Sequence, residues 1–97
     1  GLGDVYKRQV SDLVEHPERY DGRKVTVRGV VVAVNTSAGN LTLADADEPG
    51  HTVEVRHASG FPEGVVADAT VVVRGVFRAA AMTLEATSVE TGCPSRY

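Results

Sequence analysis

Between Lys24 and Val89 the chain divides into short stretches of alternating apolar and polar residues, each closed by a turn-forming cluster. Val25, Val27 and Gly29 share one face of the first stretch while Thr26 and Arg28 take the other. That period of two marks a half-buried β-strand. From Val30 to Val34 both faces become apolar. A glycine at this change of pattern predicts a bulge or sharp bend, which lets one long strand serve both halves of a small closed barrel. Residues 35–40 read as a hairpin loop and 41–43 as a short second strand. Residues 52–57 form a third, with Val53 and Val55 inward and Thr52, Glu54 and Arg56 outward. A connector over 58–68, containing Gly60-Phe61-Pro62 and Glu63-Gly64, leads to a fourth strand over 70–78 and a fifth over 82–89.

A helical pattern precedes the strands. Ser11 is a suitable N-cap, Asp12 and Glu15 are placed near the positive end, and Val10, Leu13 and Val14 form the buried stripe. Pro17 ends that helix after His16, leaving Glu18-Arg19-Tyr20 as a further turn before the Asp21-Gly22 turn. One internal echo stands out: Val25-Thr26-Val27-Arg28-Gly29 recurs as Val71-Val72-Val73-Arg74-Gly75. A single recurrence is not a solenoid, and it predicts two strands that bend at equivalent glycines where a barrel closes. Five strands, a long coiled first one and a connector between the third and fourth give the expected fold: all-β, a five-stranded OB-fold Greek-key barrel with a short N-terminal helix.

Composition supports this picture. Valine supplies most of the apolar content, and there is no Trp and only two Phe and three Tyr; branched side chains suit a pleated surface. Ninety-seven residues make one domain, and a single cysteine forms no disulfide within it. The formal charge is −3 with only two lysines, which argues against a nucleic-acid partner, because such affinity comes largely from Lys and Arg neutralising phosphates. Residues 1–9 have no apolar period, and their DVYKRQ string resembles translated sequencing adapter. They are expected to be a non-native leader and are left out of the fold; without Asp4, Lys7 and Arg8 the charge becomes −4. The OB domain is then 10–92, followed by the start of a tail at 93–97. No apolar run approaches the roughly 20 residues of a membrane span, and the sequence is expected to be a fragment at both ends.

The tail carries the most distinctive chemistry. Cys93-Pro94-Ser95-Arg96-Tyr97 holds the only cysteine, with a tyrosine four positions on, directly behind the last strand. A thiolate is a soft nucleophile, and a phenolate oxygen can ligate a metal. On those two residues alone, a free cysteine and an ordinary tyrosine at a terminus is the commoner arrangement.

Taken with the rest of the chain, the motif resembles the cytochrome c maturation haem chaperones, the CcmE family, in their cysteine-type branch. The correspondences are Tyr20-Asp21-Gly22-Arg23-Lys24-Val25 running into the first strand, Gly60-Phe61-Pro62 in the connector, Val-x-Val-Arg-Gly in the fourth strand, and Glu85-Ala86 leading to the tail. The resemblance implies that Cys93 attaches haem covalently, Tyr97 is an axial ligand to the haem iron, and the attachment is transient. It implies a periplasmic haem carrier with a membrane anchor upstream, not an enzyme. Its partners would be haem, the membrane haem-handling proteins of the maturation system, and apocytochrome c. Phe61 and Phe77 are candidates for an apolar haem-facing surface. The alternative is a cofactor-free OB module that docks protein or, less readily, single-stranded nucleic acid or oligosaccharide. Leu41, Leu43, Val53 and Val55 offer no aromatic stacking platform for bases on the second and third strands.

Other polar features carry less. His16, His51 and His57 are separated by helix and strand, the last two at opposite ends of the third strand, and their spacing offers no metal cluster. Asp45-Ala46-Asp47-Glu48-Pro49-Gly50 opens like a calcium loop but fails at Pro49, and again at Arg56 where the twelfth position needs Glu; it reads as a solvated turn.

Overall fold

A computed structural model describes residues 7–61 and 64–91. The elements are β1 (Lys7–Gln9), α1 (Val10–Glu15), α2 (Pro17–Tyr20), β2 (Lys24–Asn35), β3 (Asn40–Ala44), β4 (Thr52–Arg56), β5 (Thr70–Arg78), a 3-10 turn (Ala79–Ala81) and β6 (Thr83–Thr91). The five longer strands follow the order β2-β3-β4-β6-β5, and β5 pairs back onto β2 to close the barrel. That is the expected OB topology, with the parallel β4–β6 contact arising because β5 lies between them in sequence but beside β6 in space.

The closing pair explains the echo. Val25 lies opposite Gly75, Val27 opposite Val73, and Gly29 opposite Val71, so the two Val-x-Val-Arg-Gly segments pair antiparallel with each other. The two glycines therefore sit at opposite ends of one ladder, and each permits a close approach. A Cβ on Gly29 would lie 2.8 Å from the Ala44 carbonyl oxygen and 3.0 Å from Val10 Cγ2. A Cβ on Gly75 would lie 2.1 Å from the Glu85 carbonyl oxygen. Just past Gly29, β2 takes β3 as a partner, and its register slips between Val31 and Ala33, so Val32 bulges outward and is half exposed. At Gly75 the β5–β6 register slips in the same way. The bends fall where the glycines predict them.

The alternating apolar residues meet in one core. Val27, Val31, Leu41, Leu43, Val55, Val71, Val73, Phe77 and Leu84 are buried, each of the larger side chains contributing about 1.5–3 kcal/mol. Val10 and Leu13 of α1 and Val65 of the connector join this core. Phe77, a candidate for a haem-facing surface, is fully buried and packs the barrel instead.

Three local expectations differ from the structure. Lys7–Gln9, left out of the fold in the sequence reading, form β1 and pair in parallel with Thr26–Arg28 of β2. The N-cap of α1 is Gln9 rather than Ser11. The Gln9 N–H donates to Asp12 Oδ2 at 2.9 Å, an N3 carboxylate reaching back to the cap, while Ser11 is drawn into contacts with the β3–β4 loop. Glu15 is the last residue of α1, at the negative rather than the positive end of the helix.

Candidate functional site

The last described residue of β6 is Thr91, opposite Val71 of β5. Cys93 and Tyr97 lie outside the described residues, so their expected roles are taken up below. What surrounds the strand end is clear. β4 pairs with β6 only from Thr83 to Glu85, and the connector approaches the strand further on. A Cβ on Gly64 would lie 3.0 Å from Thr91 Cγ2, while Val65 is anchored in the core and Val66 is 56 % exposed. Phe61 is half-buried against the core, with the His57 ring 6.1 Å away at a tilt of 40°. Of the two phenylalanine candidates, only Phe61 keeps a partly open position.

The same connector borders a groove of about 600 Å³ lined by Thr36–Gly39 of the hairpin loop, Arg56, His57–Gly60, Glu85 and Ala86. Its walls are fixed by backbone and side-chain hydrogen bonds. The His57 N–H donates to the Gly39 carbonyl at 2.9 Å, the Ala38 N–H donates to Asn35 Oδ1 at 3.1 Å, and the His57 ring bonds the Gly60 carbonyl through Nδ1. Loop backbone, Arg56 and Glu85 make this groove polar, a poor match for a flat apolar macrocycle.

The outer face of β3 and β4 carries Thr42 and Glu54, joined at 3.3 Å. Leu41, Leu43, Val53 and Val55 all point into the core. The face on which OB domains stack bases thus presents a carboxylate and no aromatic ring.

The strongest polar constellation lies in the β3–β4 loop, and the sequence reading missed it. Asp45, 3 % exposed, accepts the Ser11 N–H on Oδ1 at 2.9 Å. On Oδ2 it accepts the N–H groups of Asp47 and Glu48, both at 3.0 Å. Burial pushes its carboxyl pKa up, but these bonds and the Ser11 hydroxyl outweigh that and hold it below its ordinary value. Asp45, read from the sequence as part of a solvated turn, is a buried acceptor that joins the loop to the first turn of α1. His51 closes the loop, its carbonyl accepting from the Asp45 N–H at 2.9 Å, and its Nδ1 lies 2.8 Å from Ser11 Oγ. The fold also brings Glu15, Glu48 and His51 together, a set the spacing of the histidines does not point to, with one ligand atom of each within 4.8 Å of the others.

Comparison with known proteins agrees with the fold and narrows the family. Chains from the S. pombe Stn1–Ten1 complex (TM-score 0.71, 14 % identity, 99 % of this chain and 84 % of the other) and of the telomere-capping protein Ten1 from Saccharomyces pombe (0.69, 15 %, 91 % and 81 %) share the architecture. At such identity the likeness is one of fold alone. The OB-fold domain of the haem chaperone CcmE from Desulfovibrio vulgaris superposes with a TM-score of 0.60 at 23 % identity, over 75 % of this chain and 90 % of that one. No curated protein matches the chain in sequence. The family model described as the CcmE domain matches residues 4–97, nearly the whole chain. The chain belongs to the CcmE family of haem chaperones.

Proposed function

We propose that this protein is a cysteine-type haem chaperone: it takes haem on Cys93, holds the iron through Tyr97, and delivers the haem to apocytochrome c on the periplasmic face of the cytoplasmic membrane. The observation that carries this reading is the position of Cys93-x-x-x-Tyr97 two residues beyond the last β6 residue of a CcmE-family barrel. Two residues of chain span at most about 7 Å, so cargo bound there stays beside the β6 exit, where Gly64 of the connector comes close to Thr91.

The chemistry suits a carrier. The Cys93 sulfur adds to a vinyl carbon of the cargo, forming one C–S bond, and the thiol proton goes to the neighbouring vinyl carbon; no oxidant or reductant is consumed. The reverse elimination regenerates the thiol and the vinyl group for hand-over. Tyrosinate stabilises ferric iron, which favours holding the haem in the oxidised state until transfer. Attachment on a tail rather than inside the barrel leaves the cargo accessible to a recipient. By family membership the partners are the membrane haem-handling proteins of the maturation system and the cytochrome substrate, with the carrier working at the membrane surface.

The test is expression in a periplasm with active haem maturation machinery, followed by a denaturing gel stained for haem. Haem should persist on the wild type and vanish from Cys93→Ala. Folded protein without retained haem, beside a control chaperone that loads normally, would leave a cofactor-free OB docking module as the function.

A further inference from the structure

The cluster at the end of α1 uses none of the residues around the β6 exit. Glu15 ends the helix, Glu48 sits in the β3–β4 loop, and His51 immediately precedes β4. His51 Nε2 is 3.8 Å from Glu48 Oε1, and both carboxylates are exposed while His51 is half-buried.

Ser11 Oγ lies 2.8 Å from His51 Nδ1 and holds the ring by that nitrogen, which leaves Nε2 on the side of Glu48. One ligand atom each of Glu15, Glu48 and His51 lies within 4.8 Å of the others, and a cation among them offsets the repulsion between the two carboxylates. The position of Glu15 adds to this: it stands at the negative end of α1, whose last turn has no basic residue.

We propose that Glu15, Glu48 and His51 bind a divalent first-row transition cation, with Asp45 and Ser11 as positioning residues. An imidazole nitrogen with two carboxylate oxygens suits zinc-like ions, whereas oxygen ligands alone suit Mg²⁺ or Ca²⁺. Tetrahedral zinc sets its ligand atoms about 3.4 Å apart. The His51–Glu48 separation is already close to this, and the two exposed glutamates close the remainder, with water completing the shell. His51 follows the usual pattern of a ligating histidine, its second nitrogen held by a partner that orients the ring.

The experiment titrates Zn²⁺ into the full chain carrying Cys93→Ser, which removes the competing thiol, while calorimetry and the His51 ring ¹⁵N signals are followed. One equivalent should bind and shift Nε2. Glu15→Gln, Glu48→Gln and His51→Asn should each weaken binding more than tenfold. Ser11→Ala should weaken it about tenfold, the cost of a lost outer partner. Without metal, Glu15→Gln and Glu48→Gln should melt no lower than the parent, because neutralising either removes repulsion. Unmoved His51 signals, binding indifferent to both glutamine variants, or displacement of Zn²⁺ by equimolar Mg²⁺ would each overturn the proposal.

Discussion

Replacing Asp45 should cost more stability than its place in a surface loop suggests, and the loss should depend on pH. Oδ1 takes one backbone N–H and Oδ2 takes two, linking Ser11 of α1 to Asp47 and Glu48. Hydrogen bonds to a charged group are worth about 1.5–3 kcal/mol each, and a donor left without a partner costs about 1–3 kcal/mol. Asp45→Asn keeps one oxygen for the Asp47 and Glu48 donors and turns an NH₂ towards the Ser11 N–H, a loss of about 2 kcal/mol. Asp45→Ala loses all three acceptor contacts, about 4 kcal/mol after allowing for water at the partly open donors. At roughly 4–8 °C per kcal/mol for a domain of this size, the Asn variant should melt about 8–16 °C lower at neutral pH. The sign with pH follows from the lowered pKa of Asp45. Its stabilisation is fully present above the ordinary carboxylate value of 3.8 and is lost as pH falls through the lower folded-state value. The gap between wild type and Asp45→Asn should therefore be widest at pH 7 and close in acid. Thermal melts followed by circular dichroism across that range measure it. An Asn variant as stable as wild type at pH 7, or a gap that is constant down to pH 2, would refute the role given to Asp45.

Four further outcomes follow from the fold. Gly75→Ala places a methyl group against the Glu85 carbonyl at the bent closing pair, and denaturant unfolding should show a loss of about 1–3 kcal/mol or more. Gly50→Ala, with nothing within 4 Å of the new carbon, should stay within about 0.5 kcal/mol. Phe77→Ala empties the largest fully buried side chain and should cost about 3–5 kcal/mol by the same measurement. Arg78→Ala breaks an ion pair with Glu85 in which both side chains are more than half exposed, and should change the unfolding midpoint little, by about 0–1 kcal/mol.

The strands were legible because valine alternates along them and glycines and Asp-Gly mark their ends. The echo announced two equivalent bends, and the structure adds that the repeated segments are each other's partners, which only the register reveals. Family membership was legible from the ordering of short motifs along the chain. The α1 cap was not, because an N-cap expectation weighs neighbours only. Ser11 has the right side chain, but its strongest partners are Asp45 and His51, 34 and 40 positions away. The same distance hid the Glu15–Glu48–His51 cluster: one ligand ends a helix and two belong to a loop, so no spacing rule joins them. The loop reads as a solvated turn, whereas its first carboxylate is buried and taken up by backbone donors, one of them from α1. β1 went unread because three residues are too few to establish a period.

The central claim, that Cys93 carries haem, is tested most directly by peptide mapping of protein loaded in a periplasm with working maturation machinery. Trypsin cleavage at Arg78 and Arg96 yields a 79–96 peptide containing Cys93. The account expects that peptide to bear the mass of one haem, with fragmentation placing it on the cysteine sulfur. An unmodified 79–96 peptide from folded, haem-exposed protein would contradict it.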